Sequence, residues 1–583
     1  MIPKENYEKD SHVEYTNEKQ TIFYDLESHR EITPATIPDS LAQEQEQKQE
    51  QSKNKFHSGI FGKLAYLSKR LDNLGVESTG IDRIPPYERG SSKLFLHVAG
   101  LWLSATGGLS SMSSFLLGPL LFELTFNQSM VSGLIGMAIG CVVAAYCSTM
   151  GPQSGCRQMV TARYLFGWWF VKLVALAAII GVLGWSVVNS VVGGEMLAAI
   201  SNDKVPVWVG ILIVTFCSFF VAVFGIQQVL KVETYFAVPV LTTFLLLYIS
   251  SSDKYDLIHA IDNSTLSKDT LKGNWLSFFS LCYSITSTWG SITADYYILF
   301  PEDTSQYKVF LLTLFGTLIP TLFVGILGLL LSAVAVTYQP WNDEYNTHGM
   351  GGLLWSGFSR WNGFGKFCVV ILILSLISNN IINTYSAAFS IQLSSVFCSK
   401  IPRWFWSIVC TIIYLVCALV GRNHFSTILG NFLPMIGYWI SMYFILLFEE
   451  NLIFRKFFLH MYTKEFPINQ QEDEQNEQEE TNINSRRATN LHLLKRKHIA
   501  AHHRYNWDQW QNYDALTHGY AATFAFLCGV AGVVVGMAQA YWIGPIARKF
   551  GEAGGDIAMW LSMGFSGIVY PWVRYLELKR FGR

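Results

Sequence analysis

The sequence predicts an all-α integral membrane protein with about twelve transmembrane helices, and three observations support this fold class. The 583 residues are 51% hydrophobic and only 15% charged, and the mean hydropathy is positive. The apolar residues are concentrated in stretches of roughly twenty or more, each long enough to cross a ~30 Å hydrocarbon layer. Two polar stretches, residues 1–93 and 449–515, stand apart from these runs. A water-soluble protein of this size does not need such a distribution.

The polar stretches divide the chain into four predicted regions. Residues 1–93 are predicted to be a cytosolic, mostly disordered tail, because the low-complexity run AQEQEQKQEQSKNK (42–55) cannot bury enough apolar surface to order itself. A ten-helix transporter core (94–448), a polar cytosolic loop (449–515) and two further helices with a short cytosolic C-terminus (516–583) follow. The predicted spans are 94–121, 130–150, 168–199, 206–226, 232–250, 275–300, 308–337, 366–397, 403–421, 424–448, 518–543 and 556–578.

Two of these spans are predicted to be interrupted near the middle. The first span contains Gly107-Gly108 within a run of small and hydroxylated residues, and exposed backbone at membrane depth is tolerated only where it lines a cavity. The sixth span has a polar centre around Trp289-Gly290. An arrangement of ten core helices followed by two more favours a core of two inverted five-helix halves. In such a core the first and sixth spans are equivalent and frame a binding site at the middle of the membrane. A small-residue face for close helix packing is the alternative for the first span.

Two further spans carry side chains suited to a flat ligand. Trp185 and Asn189 are four residues apart, so an indole and a carboxamide share one helix face. The eighth span contains Asn379, Asn380 and Asn383, and three amides in hydrocarbon need partners. Helix packing for the first pair, and mutual helix–helix hydrogen bonds for the three amides, are the alternatives.

Charge and motifs exclude several classes of function. The formal net charge of -1 gives no basis for nucleic-acid binding. The sequence has no GxxxxGK[ST] loop and no metal-ligand cluster, so nucleotide-driven transport, enzymatic catalysis, a cofactor and a metal are not expected. An ion gradient across the lipid bilayer remains as the energy source. Glu195, near the outer end of the third span, is the first candidate for the proton-coupling residue.

Basic residues at the flanks of the core predict the orientation. The short loops are nearly balanced in charge, so they do not decide it. The flanks place both termini in the cytosol, and the loop with the sequon Asn263-Ser264-Thr265 outside. The basic residues that support this orientation are Lys63, Lys69, Arg70, Arg83, Arg89, Lys93, Arg455, Lys456, Arg574, Lys579, Arg580 and Arg583.

Over about 71–448 the chain resembles the purine-cytosine permease family, the nucleobase–cation symporters. The resemblance rests on GVESTGIDRIPPYER (75–89), GPQSGCRQMVTARYLFG (151–167), Trp185 with Asn189, ADYYILFP (294–301) and SNNIIN (378–383). It implies the family's fold, a leucine-transporter-like five-plus-five inverted repeat followed by two helices. This agrees with the number of predicted spans.

The resemblance also implies which side chains contact a small flat nitrogen heterocycle. Trp185 and Trp289 would stack on its ring. Asn189, Asn380 and Asn383 would form hydrogen bonds with its edge. The first span would add the small residues Ser104, Thr106 and Gly107.

Departures from the nucleobase carriers bear on the substrate. This chain has Ile382 where those carriers usually have proline, and the run GGLSSMSS (107–114) is unusual for them. The segments WLSATGGLSSMSSFLLGP (102–119) and SVVNSVVGGEMLAAI (186–200) are most similar to fungal vitamin B6 carriers of the family. The resemblance thus implies a plasma-membrane importer of pyridoxine, pyridoxal and pyridoxamine that works by proton symport with alternating access. A purine, cytosine or other nucleobase permease is the alternative, and a non-transporting nutrient sensor is the second.

Overall fold

A computed structural model describes residues 80–90, 94–224, 226–466 and 504–583. The predictions for 1–79 and 467–503, including the low-complexity run, lie outside the described residues. Within them the sheet is a short hairpin of β1 (Ala538–Gln539) and β2 (Trp542–Ile543). The α-helices are α1 (Leu94–Thr106), α2 (Leu109–Phe115), α3 (Leu117–Phe122), α4 (Phe126–Ser148), α5 (Met150–Ser154), α6 (Gln158–Thr161), α7 (Arg163–Ser201), α8 (Val207–Ala222), α9 (Ile226–Ser251), α10 (Lys268–Ser287), α11 (Gln306–Thr337), α12 (Gln339–Phe358), α13 (Asn362–Ser394), α14 (Val396–Ser399), α15 (Arg403–Gly421), α16 (Phe425–Glu449), α17 (Arg455–Phe457), α18 (Tyr520–Gly536) and α19 (Ala558–Phe581).

The length and composition of these helices confirm the all-α membrane class. In the described chain, eight helical segments are long and apolar enough to cross a membrane, and α8 and α18 are shorter apolar helices. The total of twelve spans stays a prediction. Helix α12 falls between the seventh and eighth predicted spans and is not predicted, because its first half is polar and no apolar stretch of membrane length marks it.

The interruption predicted in the first span is confirmed. Helix α1 ends at Thr106 and α2 begins at Leu109, with Gly108 extended at φ -119° and ψ 178°. The freed backbone N–H of Leu109 donates to Ser375 Oγ at 3.1 Å, so the break leaves this donor satisfied. A Cβ on Gly107 would lie 2.5 Å from the carbonyl oxygen of Leu103, so only glycine fits this close approach.

The interruption predicted in the sixth span is also confirmed. Helix α10 ends at Ser287, and two 3₁₀ turns, Thr288–Ser291 and Thr293–Tyr296, replace the α-helix. Between them Ile292 has φ -139° and ψ -3°, which breaks the helical path. Both interrupted helices therefore bring non-helical backbone to the middle of the protein.

The core helices pack into two bundles. The first bundle consists of α1, α2, α4, α10 and α11, with α4 packed along both α10 and α11. The second bundle consists of α7, α8, α13 and α15, with α13 packed along α7, α8 and α15. Helices α1 and α2 also contact α13, so the interrupted first span lies at the boundary between the bundles.

Both ends of the described chain lie at one face of the molecule, which we name the tail face. The N-terminal segment 80–90 packs there, with Ile84 N donating to Gly155 O at 3.0 Å and Arg83 pairing with Asp508. The C-terminus reaches the same face through Arg583, which donates to Asp514 O at 3.0 Å.

The loop 252–267 lies at the opposite face. Helix α10 and its two turns run from this loop toward Glu302, and Glu302 forms an ion pair with Arg83 of the tail face at 3.7 Å. Helix α10 and its two turns therefore cross the molecule once between the loop and the tail face.

Candidate functional site

A central pocket lies where both interrupted helices meet α7 and α13. It contains about 330 Å³ of empty space, the part open to solvent included. Its wall combines aromatic, aliphatic, hydroxyl and amide groups: Ser110, Ser111, Val182, Trp185, Ile285, Thr288, Trp289, Ile292, Asn379 and Asn383. A mostly apolar cavity with a few polar groups is typical of a site for a small organic ligand.

Two tryptophans give the pocket its aromatic surfaces. Trp185 comes from α7, and Trp289 comes from the first 3₁₀ turn after α10. The Trp289 ring packs edge-to-face against Trp102 of α1, with 5.5 Å between centroids. Trp102 is itself fixed by its Nε1–H, which donates to the Tyr297 hydroxyl at 3.0 Å. The indole of Trp289 is thus held in place by both interrupted helices.

The amides of α7 and α13 form one hydrogen-bonded network behind and within the wall. Asn189 Nδ2 donates to the Oδ1 atoms of Asn379 and Asn380, at 2.9 Å each. Asn189 Oδ1 accepts from Ser110 Oγ at 2.5 Å. Asn383 Nδ2 donates to Asn379 Oδ1 at 2.9 Å. The network satisfies the buried amides and links α2, α7 and α13.

Four polar groups of the wall remain for a ligand. In the described part of the chain, Asn383 Oδ1 accepts no hydrogen bond, although its Nδ2 is used. The Ser111 hydroxyl and the indole N–H groups of Trp185 and Trp289 likewise have no protein partner among the described residues. These groups offer one acceptor, one group that both donates and accepts, and two donors.

The predicted ligands on α7, on α13 and on the turn after α10 divide into two sets. Trp185, Trp289 and Asn383 lie in the pocket wall. Asn189 and Asn380 stand behind it, where each is occupied by other side chains. Their predicted direct contact with a substrate stays a prediction. The geometry gives Asn189 the role of orienting Asn379 and Ser110, and Asn380 that of holding Asn189 and Ser190.

The predicted residues of the first span lie outside the wall. Ser104 Oγ is 2.9 Å from Ser378 Oγ. Thr106 Oγ1 donates to Trp102 O at 2.6 Å, and Gly107 packs against α11. The span instead presents residues of α2 to the pocket.

Seven wall residues are absent from the sequence-based set of ligands: the aliphatic Val182, Ile285 and Ile292, and the polar Ser110, Ser111, Thr288 and Asn379. Ser110 and Ser111 occupy the first turn of α2, and Thr288 and Asn379 stand next to residues already singled out. The signal for Ser110 and Ser111 is their position just after the glycine pair. The break resets the helical phase there, so the face they occupy could not be read by counting from α1.

Glu195 of α7 lies away from the pocket, and its side chain contacts the beginning of the second half of α12. Its Oε2 accepts from Met350 N at 3.0 Å and from Gly351 N at 3.4 Å. The preceding Gly349 has φ +61°, which kinks α12 and exposes these N–H groups. Glu195 therefore caps a helix N-terminus, where a negative charge is stabilised.

Glu233 of α9 is a second buried carboxyl group, and it lies close to the network. It is fully buried; its Oε2 accepts from Ser378, which in turn contacts Ser104. Within the described residues its Oε1 has no hydrogen-bond partner, and no basic side chain forms an ion pair with the group. A buried charge with so little compensation is costly.

Among the described residues, no group of three His, Cys, Asp or Glu side chains could hold a metal ion.

The fold and site define a class of protein. Two interrupted helices that meet at a central pocket between two helical bundles form the arrangement of a secondary transporter. Residues 84–461 match the family described as permease for cytosine/purines, uracil, thiamine, allantoin, and the chain belongs to this family.

Individual relatives and solved structures agree with this assignment. The chain is 76% identical over 531 residues to the vitamin B6 transporter TPN1 of Saccharomyces cerevisiae, covering 90% of this chain and 91% of that protein. It is 31% identical over 523 residues to the purine-cytosine permease fcyB of Emericella nidulans, covering 89% and 92%. The nucleobase-cation-symport-1 transporter MHP1, with bromovinylhydantoin bound, superimposes with a TM-score of 0.56 at 12% identity, covering 87% of this chain and 96% of MHP1. A sodium-coupled sialic acid symporter superimposes with a TM-score of 0.54 at 13% identity, covering 89% and 98%. These last two likenesses concern the fold.

Proposed function

We propose that this chain carries vitamin B6, namely pyridoxine, pyridoxal and pyridoxamine, into the cell across the plasma membrane. The observation that carries the proposal is the 76% identity, over nine-tenths of both chains, to a protein named as a vitamin B6 transporter. The central pocket supports it independently of the name.

The chemistry of the pocket suits a substituted pyridine. Pyridoxine is a flat ring that carries a phenolic hydroxyl and two hydroxymethyl groups. Trp185 and Trp289 supply aromatic surfaces for such a ring. Asn383 Oδ1 can accept from a substrate hydroxyl, and the Ser111 hydroxyl can donate to or accept from another.

A purine or cytosine permease is the runner-up, because the family includes such carriers and a flat nucleobase also fits between two indoles. Competition separates the two substrates. We expect excess pyridoxal to block uptake of labelled pyridoxine, and excess cytosine or adenine to compete at least about tenfold more weakly, since each unpaired buried polar group costs ~1–3 kcal/mol. Strong competition by the nucleobases with none by pyridoxal would favour the runner-up.

A nutrient sensor that does not transport is the second alternative. A protein without its N-terminal polar stretch distinguishes it, because a carrier needs only its helices to accumulate substrate. We expect residues 80–583 to retain uptake in cells without a carrier of their own. A chain that signals but never accumulates pyridoxine would support the sensor.

Proton symport is the proposed mode of coupling, and the geometry favours Glu233 over Glu195 as the proton carrier. The charge of Glu195 is stabilised by two N–H groups of α12. Glu233 is buried with one unpaired oxygen, so a bound proton removes a large energetic cost. Ser378, which donates to Glu233, directly precedes Asn379 of the wall, so protonation and substrate binding act on the same turn of α13.

Glu233→Gln tests this coupling because it mimics the protonated form. We expect the variant to exchange bound pyridoxine for labelled pyridoxine at near wild-type rate but to lose accumulation driven by a pH gradient. Glu195→Gln is the matched control and should keep pH-driven accumulation. The opposite pattern would return the role to Glu195, and sodium-stimulated uptake insensitive to a protonophore would exclude proton coupling.

Cytosolic termini are part of the proposal, with the tail face toward the cytosol and loop 252–267 outside. The basic flanking residues support this orientation. Asn263 Nδ2 already donates to Glu123 O at 3.1 Å and to Gln128 Oε1 at 2.8 Å, so its sequon is a poor mapping site. A glycosylation acceptor inserted after Ser264 should be modified. A reporter after Lys497 that is active only outside the cell would reverse the orientation.

A further inference from the structure

The route from the pocket to the tail face passes along α13. Helix α11 starts near Glu302 at the tail face, and α13 returns in the opposite direction, so the C-terminal end of α13 points back to that face. Asn383 lies in the pocket wall, and Phe389 is six residues further along α13. This corresponds to about 9 Å at 1.5 Å per residue.

Arg157 occupies this route. It lies in the loop between α5 and α6 and is 6% exposed. Its Nη2 donates to the Tyr385 hydroxyl at 2.8 Å, and its guanidinium carbon lies 3.8 Å from the centroid of the Phe389 ring. A hydrogen bond and a cation–π contact thus join this loop to the second bundle.

The loop that carries Arg157 is anchored to the first bundle. Gln158 N donates to Asp295 Oδ1 at 2.7 Å, and Gln158 Oε1 accepts from Ala294 N at 3.0 Å. Arg157 Nη1 donates to Asp295 O at 3.4 Å. The guanidinium therefore bridges the turns that follow α10 to helix α13 of the other bundle.

These turns connect the Arg157 contact to the substrate pocket. Trp289 of the wall is six residues before Asp295, and two consecutive 3₁₀ turns join them. A second contact across the bundles, Tyr296 hydroxyl to Ser386 Oγ at 3.0 Å, lies in the same stretch. A ligand that moves Trp289 therefore acts on the element that positions Arg157.

Tyr385 is also held from its own bundle. The guanidinium of Arg403, at the start of α15, lies 4.8 Å from the Tyr385 centroid, and Arg403 Nη1 donates to Ala222 O at 2.9 Å. Tyr385 is therefore fixed within the second bundle. Separation of the bundles at this face requires Arg157 to break its contact with Tyr385.

We propose that Arg157 is a gate residue that keeps the tail-face route closed by binding Tyr385 and Phe389, and that releases them when the substrate leaves toward the tail face. The proposal rests on the proposed transport function. It adds a residue that contacts no ligand and controls which face of the pocket is open.

A native cysteine next to the gate provides the readout. Cys156 is fully buried and directly precedes Arg157. Opening of the gate should expose it, so its alkylation by a membrane-impermeant maleimide reports the open state. Cysteines that are exposed or partly exposed are first replaced by serine to remove background: Cys217, Cys398, Cys417 and Cys528.

The experiment compares Arg157→Met with this background in sealed vesicles of each orientation. Loss of the contact should raise Cys156 labelling from the tail face by about two- to thirtyfold, because a cation–π contact and its hydrogen bond no longer favour the closed state. Uptake should fall, while equilibrium binding of pyridoxine to the purified protein stays within about threefold. Lys172→Met is the matched control, since Lys172 lies over Trp169 within α7 at 4.2 Å and bridges no bundles.

A second variant decides the outcome if Arg157→Met fails to fold. Tyr385→Phe removes only the hydroxyl acceptor and should raise Cys156 labelling in the same direction by a smaller factor. Unchanged labelling in every folded variant would overturn the gate, as would labelling that rises equally in Lys172→Met. Labelling needs no uptake, so the gate is tested even if pyridoxine is not the substrate.

Discussion

At the scale of single residues, the pocket divides its polar groups between those that hold the wall and those left for a ligand. Asn189 is used completely by Ser110, Asn379 and Asn380. Asn383 keeps its Oδ1 for the pocket. A substrate is therefore recognised by few groups, each oriented by several others.

The two tryptophans of the wall should matter more than any other side chain in it. We expect Trp185→Ala and Trp289→Ala each to reduce pyridoxine uptake at least roughly tenfold while surface levels stay normal, because a stacking surface is lost without removal of a helix. Trp572→Ala is the control, since Trp572 is 76% exposed. Normal uptake in both pocket variants would show that the tryptophans only pack.

The family resemblance predicts Trp185, Trp289 and Asn383 as substrate ligands; the structure has all three in the wall of one cavity, and their contact with a substrate stays a prediction. Residue types and spacing do not predict Glu233 as a buried group between α1 and α13, because its contacts Ser104 and Ser378 are distant in sequence. Long-range pairing of this kind depends on tertiary packing, which no local pattern contains.

At the scale of elements, the breaks in the two interrupted helices create the pocket. Glycine at the first break is required by space as much as by flexibility, since a Cβ on Gly107 would also lie 2.9 Å from Pro320 Cβ. The sequence predicts both breaks because glycine pairs and polar centres are local signals. It does not predict α12, whose position depends on the cap from Glu195.

Gly107→Ala should abolish uptake. The added methyl group must displace backbone of α1 or the proline of α11, which shifts the start of α2 and with it Ser110 and Ser111. Gly564→Ala is the matched control, because nothing lies within 4 Å of a Cβ at that position. Wild-type uptake in Gly107→Ala, at equal surface amount, would contradict the account of the break.

At the scale of the whole molecule, a buried ionic cluster ties the C-terminal helices to the core. Arg574 of α19 donates to Glu450 Oε2 at 3.1 Å, to Glu577 Oε2 at 3.0 Å and to Thr517 Oγ1 at 2.9 Å. Glu450 follows α16 directly and also pairs with Arg455 at 3.2 Å. The cluster joins helices on either side of the long polar stretch, and the sequence shows only that basic residues lie there.

Arg574→Gln should destabilise the protein strongly, since removal of one partner leaves a buried charge uncompensated at a cost of about 3–5 kcal/mol. The expected result is a lower melting temperature and less protein at the cell surface. Lys579→Gln, at an exposed position of the same helix, should behave as the wild type. Equal stability of the two variants would show that the cluster contributes little.

We propose that the two bundles form a proton-coupled carrier of vitamin B6. The most direct measurement is uptake of labelled pyridoxine in cells that lack their own carrier, with and without a protonophore, by the wild type and by Trp289→Ala. We expect saturable uptake by the wild type, stimulated by external acid and abolished by the protonophore, and no uptake by the variant. Absence of pyridoxine uptake by a wild-type protein that reaches the surface and takes up cytosine or adenine instead would contradict it.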